Sequence, residues 1–350
     1  MKTVMVKASI CYDVCIGGGL LQELGARARA VSHANRAAII TDDTVDALYA
    51  AKATKSLEKA GFETVKYVFP HGEASKNIST WAAILSFLAS AHLTRSDLVV
   101  ALGGGVPGDI AGFAAASYLR GISFIQVPTT FLAAIDSSVG GKTAVDLPEG
   151  KNLAGAFYQP HLVLCDTDTL STLPPETFAD GAAEAIKYGV LRPTKLFGIF
   201  ENGDVKASIN DIIEECVALK RDVVAEDEFD HGARQFLNLG HTVGHAIEKL
   251  SCFSITHGHA VAAGMAIAAR MSESLGIMAE NERKRLEQTL TRNHLPIVTA
   301  FGAKELAEAA SSDKKRDGEK INLILPEKIG ACRLYPAQVK ALEGLIRRGL

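Results

Sequence analysis

Aromatic residues are scarce in this sequence, at 6% of 350 residues, while Ala and Gly are plentiful. That balance disfavours an aromatic-rich β-sandwich and favours packed helices and tight turns. No run of 18 apolar residues occurs, so no membrane-spanning helix is expected. The opening stretch, MKTVMVKASICYDVCIGGG, is broken by Lys7 and Asp13 and lacks a small-residue cleavage site, so it does not read as a signal peptide. Disulfide spacing is also missing. Cys11, Cys15, Cys165, Cys216, Cys252 and Cys332 are scattered, and no second close pair joins Cys11 and Cys15 to complete a zinc site. All six read as reduced thiols of a cytoplasmic protein. No charge excess exists: 37 Lys and Arg face 40 Asp and Glu, a net charge of −3. Bulk attraction to nucleic acid or to an anionic membrane is therefore not expected, although a single cleft can still be basic. There is no internal repeat and no low-complexity tract.

What is present has two grammars. Up to about residue 172, short apolar runs alternate with helical periods: 12–19, 37–41, 65–69, 97–105, 122–130 and 161–166 read as strands, with helices such as 78–93 between them. Alternation of this kind implies a mostly parallel sheet covered on both faces. Beyond Pro174 and Pro175 nearly every segment has a helical period, and only INLILP (321–326) still reads as a strand. The expected fold is an α/β Rossmann-like domain over 1–172, followed by a mainly α-helical domain over 173–350. The charged segment SSDKKRDGEK (311–320) has the composition of a solvated loop.

Several segments carry residue types suited to chemistry. VVALGGGVPGDIAGFAAA (99–116) places three glycines between a strand and a helix, where backbone can approach a phosphate and the helix N-terminus supplies N–H donors. The spacing departs from GxGxxG, and a tight turn with Asp109 as a cap explains it as well. EASKN (73–77) and PTT (128–130) also follow strand ends, where open α/β sheets bind ligands. DSSVGGKTAVDLPEGKN (136–152) is a polar, Gly-rich stretch with Asp136, Lys142, Lys151 and Asn152. It reads as a loop, suited to an anionic substrate or simply solvated. In AEAIKYG (183–189), Glu184 and Lys187 share a helical face among small and apolar neighbours. They could be a surface ion pair, or a buried carboxylate that needs a partner such as a metal.

RQFLNLGHTVGHAIEKLSCFSITHGHAVAAGM (234–265) holds four of the ten histidines. His241 and His245 are four apart on one helical face, and His257 opens the next helix. Imidazoles with one carboxylate and an open position make the ligand set of a catalytic zinc. Spacing alone does not say which histidines coordinate.

Taken together and in order, GGGVPGD, VPTTFLAAIDSSVGGKTAVD, GKNLAGAFYQP, TLPPETFADGAAEAIKYG, RQFLNLGHTVGHAIE and HGHAVAAGM resemble the 3-dehydroquinate synthases. The resemblance runs over nearly the whole chain. It implies a Rossmann-like domain, a helical domain and a homodimer acting on a small-molecule sugar acid phosphate, 3-deoxy-D-arabino-heptulosonate 7-phosphate. The implied reaction is transient oxidation by bound NAD, phosphate elimination, re-reduction and an intramolecular aldol closure. Carried over by motif, the metal ligands (for Zn2+ or Co2+) are Glu184, His241 and His257. NAD is held by Asp42, Glu73, Lys76, Gly104, Gly105, Val106, Asp109, Thr129, Thr130, Lys142, Lys151 and the turn Thr169, Leu170, Ser171 and Thr172. Lys142, Asn152, Lys187, Lys220, Arg234, Asn238 and His245 are the implied catalytic residues. Asp136 and Lys314 or Lys315 bind substrate, and Arg120 reaches into the partner subunit's site. Two positions depart from the family pattern: Pro107, where an aliphatic residue is usual, and His259, where Glu is usual. Sister sugar phosphate cyclases (the amino-dehydroquinate, 2-deoxy-scyllo-inosose and sedoheptulose-phosphate enzymes), metal-dependent polyol or glycerol-phosphate dehydrogenases, and a non-enzymatic NAD- or metal-binding protein are the competing readings.

Overall fold

The computed structural model describes residues 1–230, 232–313 and 320–350. The chain divides into two compact units, Met1–Leu173 with Ile209–Phe229, and Pro174–Ser208 with Asp230–Leu350. A single division after residue 172 leaves one exchange out. The helix Ile209–Glu226 belongs with the first unit, where it packs on the first two strands and on the turn Ala133–Ser137. Its stripe of Ile212, Ile213, Cys216 and Val217 is buried there, and Lys2 bridges to its Glu214 at 2.5 Å.

In the first unit, β1 (Lys2–Lys7), β2 (Cys11–Gly17), β3 (Arg36–Asp42), β4 (Glu63–Phe69), β5 (Leu98–Gly103), β6 (Ser123–Pro128) and β9 (Leu162–Asp166) form one sheet in the order β1-β2-β9-β6-β5-β3-β4. Every pairing is parallel except β1 with β2. Period-2 alternation fills both faces. Ile39, Val100 and Ile125 pack with Leu24, Ala53 and Leu57 on one side; Ala38, Ile40, Val99 and Phe124 pack with Ile84, Leu88 and Ile110 on the other. This double burial makes β5 and β6 continuous apolar runs. After β3 the chain steps outward to β4, then returns to lay β5 on the other side of β3. The strand order thus reverses between β3 and β5, the place where open α/β sheets bind ligands beyond the carboxyl ends of their strands.

The polar stretch expected to be a loop is instead an antiparallel hairpin of β7 (Lys142–Leu147) and β8 (Gly150–Phe157), with Lys142 opposite Phe157. Its alternation (buried Thr143 and Val145 against exposed or half-buried neighbours) is diluted by glycines, which hid the period.

The second unit is mainly helical, with β10 (Lys320–Lys328) and β11 (Ala331–Gln338) as its one described hairpin. Pro175 occupies the first turn of helix Pro175–Leu191, where its missing N–H costs no hydrogen bond. From Ala179 to Leu191 that helix is buried all round. Helix His257–Ser274 packs against it and against helix His241–Leu250. Small residues permit the approach: a Cβ on Gly258 would lie 2.3 Å from the Asp180 Cα. No helix among the described residues is long and apolar enough to cross a membrane.

Candidate active site

Strand ends position the polar groups of the first unit. Asp42 closes β3, the glycine turn closes β5, Thr129 and Thr130 follow β6, and the turn Thr167–Thr172 follows β9. The Thr129 N–H donates to the Gly103 carbonyl at 2.9 Å, tying two of these turns together. Gly103 has φ 153°, and a Cβ there would lie 2.5 Å from Pro107 Cγ, so the turn requires glycine. The helix Gly105–Ser117 starts with Gly104 as N-cap, and its first internal bond runs from Gly108 N–H to Gly104 O at 3.1 Å. Pro107 therefore lies where an N–H has no intrahelical partner. It takes one donor from the helix N-terminus and leaves those of Gly105 and Val106.

Asp109 is not a cap. It sits in the second turn and meets Lys76 Nζ at 2.6 Å, with the lysine buried and the Asp109 side chain 16% exposed. Burial pushes the Asp109 carboxyl up, against the pull of the Lys76 ammonium. Burial also works against the Lys76 charge, but Asp109, Glu73 and Asp146 outweigh it and hold its pKa high. Lys76 also donates to Asn152 Oδ1 at 2.5 Å. Asn152 has φ 57°, and its N–H donates to Asp146 Oδ1 at 2.7 Å. Lys151 lies 3.5 Å from Glu73. The structure thus gathers Glu73, Lys76, Asp109, Lys151 and Asn152 into one network. Lys220, on helix Ile209–Glu226, donates to Asp136 Oδ1 at 2.8 Å and to its carbonyl at 2.7 Å. Asp42 accepts from Val45 N–H at 2.9 Å, and burial raises its pKa. Thr130 Oγ1 accepts from Ala133 N–H, and Tyr49 donates to the Thr169 carbonyl. Thr169 and Leu170 are buried, whereas Ser171, Lys142 and Arg120 are exposed.

Arg120 is not brought to this edge. It lies beyond the C-terminal end of the 13-residue helix Gly105–Ser117, about 20 Å along the axis from the glycine turn. Leu119 and Arg120 both have positive φ, 50° and 68°, a strain of about 1–3 kcal/mol per residue that persists only where surroundings enforce it.

In the second unit, three helices contribute to one cluster. Glu184 is 1% exposed; its Oε1 lies 3.6 Å from His241 Nε2 and 3.7 Å from His257 Nε2. One ligand atom from each of the three lies within 4.8 Å of the other two. Lys187 donates to Glu184 Oε2, while Oε1 accepts no hydrogen bond from any described group. A buried carboxylate oxygen facing two imidazoles is costly unless a cation shares it. His241 Nδ1 lies 3.0 Å from the Leu239 carbonyl, and His257 Nδ1 lies 3.1 Å from Glu248 Oε2. Both acceptors demand the Nδ1–H tautomer, which leaves each Nε2 lone pair aimed toward Glu184. Burial, followed by the Lys187 charge and the two other imidazoles, pushes His241 well below the usual range, so it is a neutral donor. Burial also opposes a charge on His257, yet Glu248 and Glu184 outweigh it and raise its pKa. The cluster favours positive charge between carboxylate and imidazoles, which is what a divalent metal would supply. These three residues fit one, and the His257 side chain, 33% exposed, lies on the open side.

The helical pair His241 and His245 does not act together with Glu184. Their rings meet edge to face at 5.3 Å, and the described ligand triad takes His257 instead. His245, Glu248 and His257 also lie close enough to form a second triad, but His257 Nδ1 and Glu248 already face each other within hydrogen-bond distance. Arg234 is buried, and it shares the short helix Ala233–Asn238 with Asn238, leading into His241. Lys314 and Lys315 lie outside the described residues. Glu248 was missed from the sequence, although its place seven after His241 and three after His245 puts it on their helical face. Asp180 was missed too. Its Oδ1 accepts from the Thr256 hydroxyl at 2.6 Å and the His259 N–H at 3.1 Å, and lies 2.8 Å from His259 Nδ1. A neighbouring helix thus supplies the carboxylate that His259 does not bring to the start of helix His257–Ser274.

The 3-dehydroquinate synthase N-terminal family model matches residues 66–180, and the C-terminal model matches residues 181–316. The 3-dehydroquinate synthase of Clostridium acetobutylicum is 43% identical over 99% of both chains. Among solved structures, a 2-deoxy-scyllo-inosose synthase complexed with carbaglucose-6-phosphate, NAD+ and Co2+ superposes over 100% of both chains with a TM-score of 0.89 at 28% identity. A 2-epi-5-epi-valiolone synthase from Streptomyces hygroscopicus, with NAD+ and Zn2+ bound, covers 98% of both with a TM-score of 0.87 at 26% identity. Matched in order through both its strand-rich and its helical halves, this chain belongs to the 3-dehydroquinate synthase family.

Proposed function

We propose that this enzyme is a carbon–oxygen lyase that converts 3-deoxy-D-arabino-heptulosonate 7-phosphate to 3-dehydroquinate and phosphate. The observation that carries the reading is the buried Glu184 Oε1, which accepts no hydrogen bond from a described group and faces His241 and His257. Family membership supplies the reaction for which such a cluster is used.

Glu184, His241 and His257 hold a divalent zinc or cobalt ion, and the strand ends of the first unit hold NAD. Bound there, NAD supplies a reversible hydride acceptor and the metal supplies Lewis acidity at a substrate hydroxyl. The chain's own groups bind and orient. The N–H groups of Gly105 and Val106 at the helix start would hold the cofactor's pyrophosphate, with Gly104, Thr129, Thr130 and the turn 169–172 contributing. Asp42, Glu73, Lys76, Asp109 and Lys151 complete the nucleotide site. Lys187 holds Glu184 in place through their ion pair. Lys142, Lys220 and Arg234, with Lys314 or Lys315, supply the fixed cations that a substrate with both a carboxylate and a phosphate requires. Asp136 holds Lys220 ready for it. Asn152, Asn238 and His245 address substrate hydroxyls, and His245 is the proton carrier. Residues 1–172 form the nucleotide domain and 173–350 the metal and substrate domain, apart from the helix Ile209–Glu226, which brings Lys220 to the first. Arg120 lies far from the glycine turn and serves the site of a second copy in a homodimer. The enzyme works in the cytoplasm.

The test uses purified protein with catalytic NAD+, zinc and the heptulosonate phosphate, following phosphate and dehydroquinate together. Equal yields without accumulating NADH are expected. NADH accumulation without phosphate release would make it a dehydrogenase, and turnover only of another sugar phosphate would make it a sister cyclase.

A further inference from the structure

The metal cluster has a fourth member that touches none of the expected ligand atoms. Glu248 is 4% exposed, in helix His241–Leu250, and its Oε2 lies 3.1 Å from His257 Nδ1. The other imidazole, His241, gives its Nδ1–H to a neutral carbonyl, that of Leu239. The two histidines are thus held in the same tautomer by unequal partners, one anionic and one neutral. We infer that Glu248 is a positioning residue: its carboxylate fixes the His257 ring so that Nε2 faces Glu184, and makes His257 the stronger of the two nitrogen donors. This inference rests on the reading of Glu184, His241 and His257 as the metal ligands.

The physical basis is local. A rotation of the His257 ring that swaps its nitrogens would break the bond between Nδ1 and Glu248. An anionic acceptor on Nδ1–H also increases electron density at Nε2, as in carboxylate–histidine–metal arrangements, whose loss typically costs ten- to a hundredfold in metal affinity. The alternative is direct ligation by Glu248, since His245, Glu248 and His257 also lie within ligating distance of one another. An imidazole gives one ion only one of its nitrogens, and with His257 Nε2 turned to Glu184 the 3.1 Å contact of Nδ1 with Glu248 Oε2 is a hydrogen bond.

Metal-free full-length protein and the variants Glu248→Gln, Glu248→Ala and Glu184→Gln would be titrated with Zn2+ alone against a chromophoric chelator. Each would also be titrated with Co2+ alone, read by its visible absorption spectrum. Circular dichroism of the metal-free proteins checks that each variant is folded. Glu248→Gln keeps an acceptor for Nδ1–H but loses the charge, and is expected to weaken Zn2+ about tenfold. Glu248→Ala loses both, and is expected to weaken it about a hundredfold. In both, the cobalt spectrum keeps the shape of the wild type because the ligands are unchanged, and Glu184→Gln binds neither ion tightly. Wild-type affinity in both folded Glu248 variants overturns the positioning role while leaving the ligand assignment intact. A changed cobalt spectrum in Glu248→Gln, with Glu184→Gln still binding, overturns the ligand assignment itself and makes Glu248 a ligand. If Glu248→Ala does not fold, Glu248→Gln and its spectrum alone decide.

Discussion

The two units handle buried charge in opposite ways. At the strand-end edge of the first unit, Lys76 pairs with Asp109, Lys151 approaches Glu73 and Lys220 pairs with Asp136. Each cation has a protein anion, so that edge is complete in the chain itself. In the second unit, Glu184 is half satisfied: Lys187 takes one oxygen, and the other faces two imidazole nitrogens that present lone pairs. Backbone topology makes the first site, through loops gathered where strand order reverses. Side chains from three helices make the second, whose electrostatics a bound cation would complete. The first should therefore be largely indifferent to its ligand, and the second should depend on it.

The largest test of that contrast is Glu184→Gln, nearly isosteric. Metal Lewis acidity contributes several kcal/mol, so kcat/KM should fall by about 10³-fold or more. NAD affinity, followed by fluorescence titration, should stay at the wild-type value, and a parallel loss of NAD binding would erase the distinction. Zinc added to chelator-stripped protein at a thousandfold over its Kd should stabilise the folded state by about 4 kcal/mol. Hydrogen exchange should slow in Pro175–Leu191, His241–Leu250 and His257–Ser274 but not in β3, β5 and β6; equal slowing in those strands would break the comparison. Lys76→Met should cost about 3 kcal/mol in urea unfolding, because it leaves Asp109 buried without its cation, and the double variant with Asp109→Leu should recover most of that.

The smallest effect concerns Asp97, at the opposite edge of the same sheet. It accepts from Arg36 N–H at 2.8 Å and from Thr94 N–H at 2.7 Å. Burial pushes its carboxyl up, but these bonds outweigh it and leave the pKa below the usual value. A depressed folded pKa means the stabilisation is present above about pH 3.9, the unfolded value, and fades as pH falls through the folded one. Asp97→Asn should cost about 1–2 kcal/mol near neutrality. The gap between variant and wild type should close below that pH, and a gap that stays constant with acidity would remove the assigned role.

Much of this was legible in the chain. The first half gave β2, β3, β4, β5, β6 and β9: β3, β5, β6 and β9 because strands buried on both faces are continuous apolar runs, and β2 and β4 as apolar segments flanked by glycine or proline turns. The glycine turn and the histidine-rich segment were visible as residue types at telling spacing. What escaped shares a cause. β1, β7, β8 and β11 have an exposed face or interrupting glycines, so their period is weak. Asp109 read as a cap because its partner Lys76 is 33 positions away and belongs to another loop. Glu248 and Asp180 were passed over because an acidic residue on a helix is ordinarily a solvated one.

The sequence by itself determined the two kinds of architecture, the turns that require glycine and the pool of groups able to bind a metal and anions. Periodicity and backbone sterics act over a few residues, so a linear reading can find them. Spacing left the histidines open and only family resemblance pointed to His257; the tertiary structure shows His257 rather than His245 in the cluster with Glu184, and it alone decided that Glu248 and Asp180 support that cluster. It alone placed the helix Ile209–Glu226 with the first unit. Those choices depend on which helices lie against one another, and close contacts such as Gly258 on Asp180 set side-chain directions that spacing along one helix cannot fix.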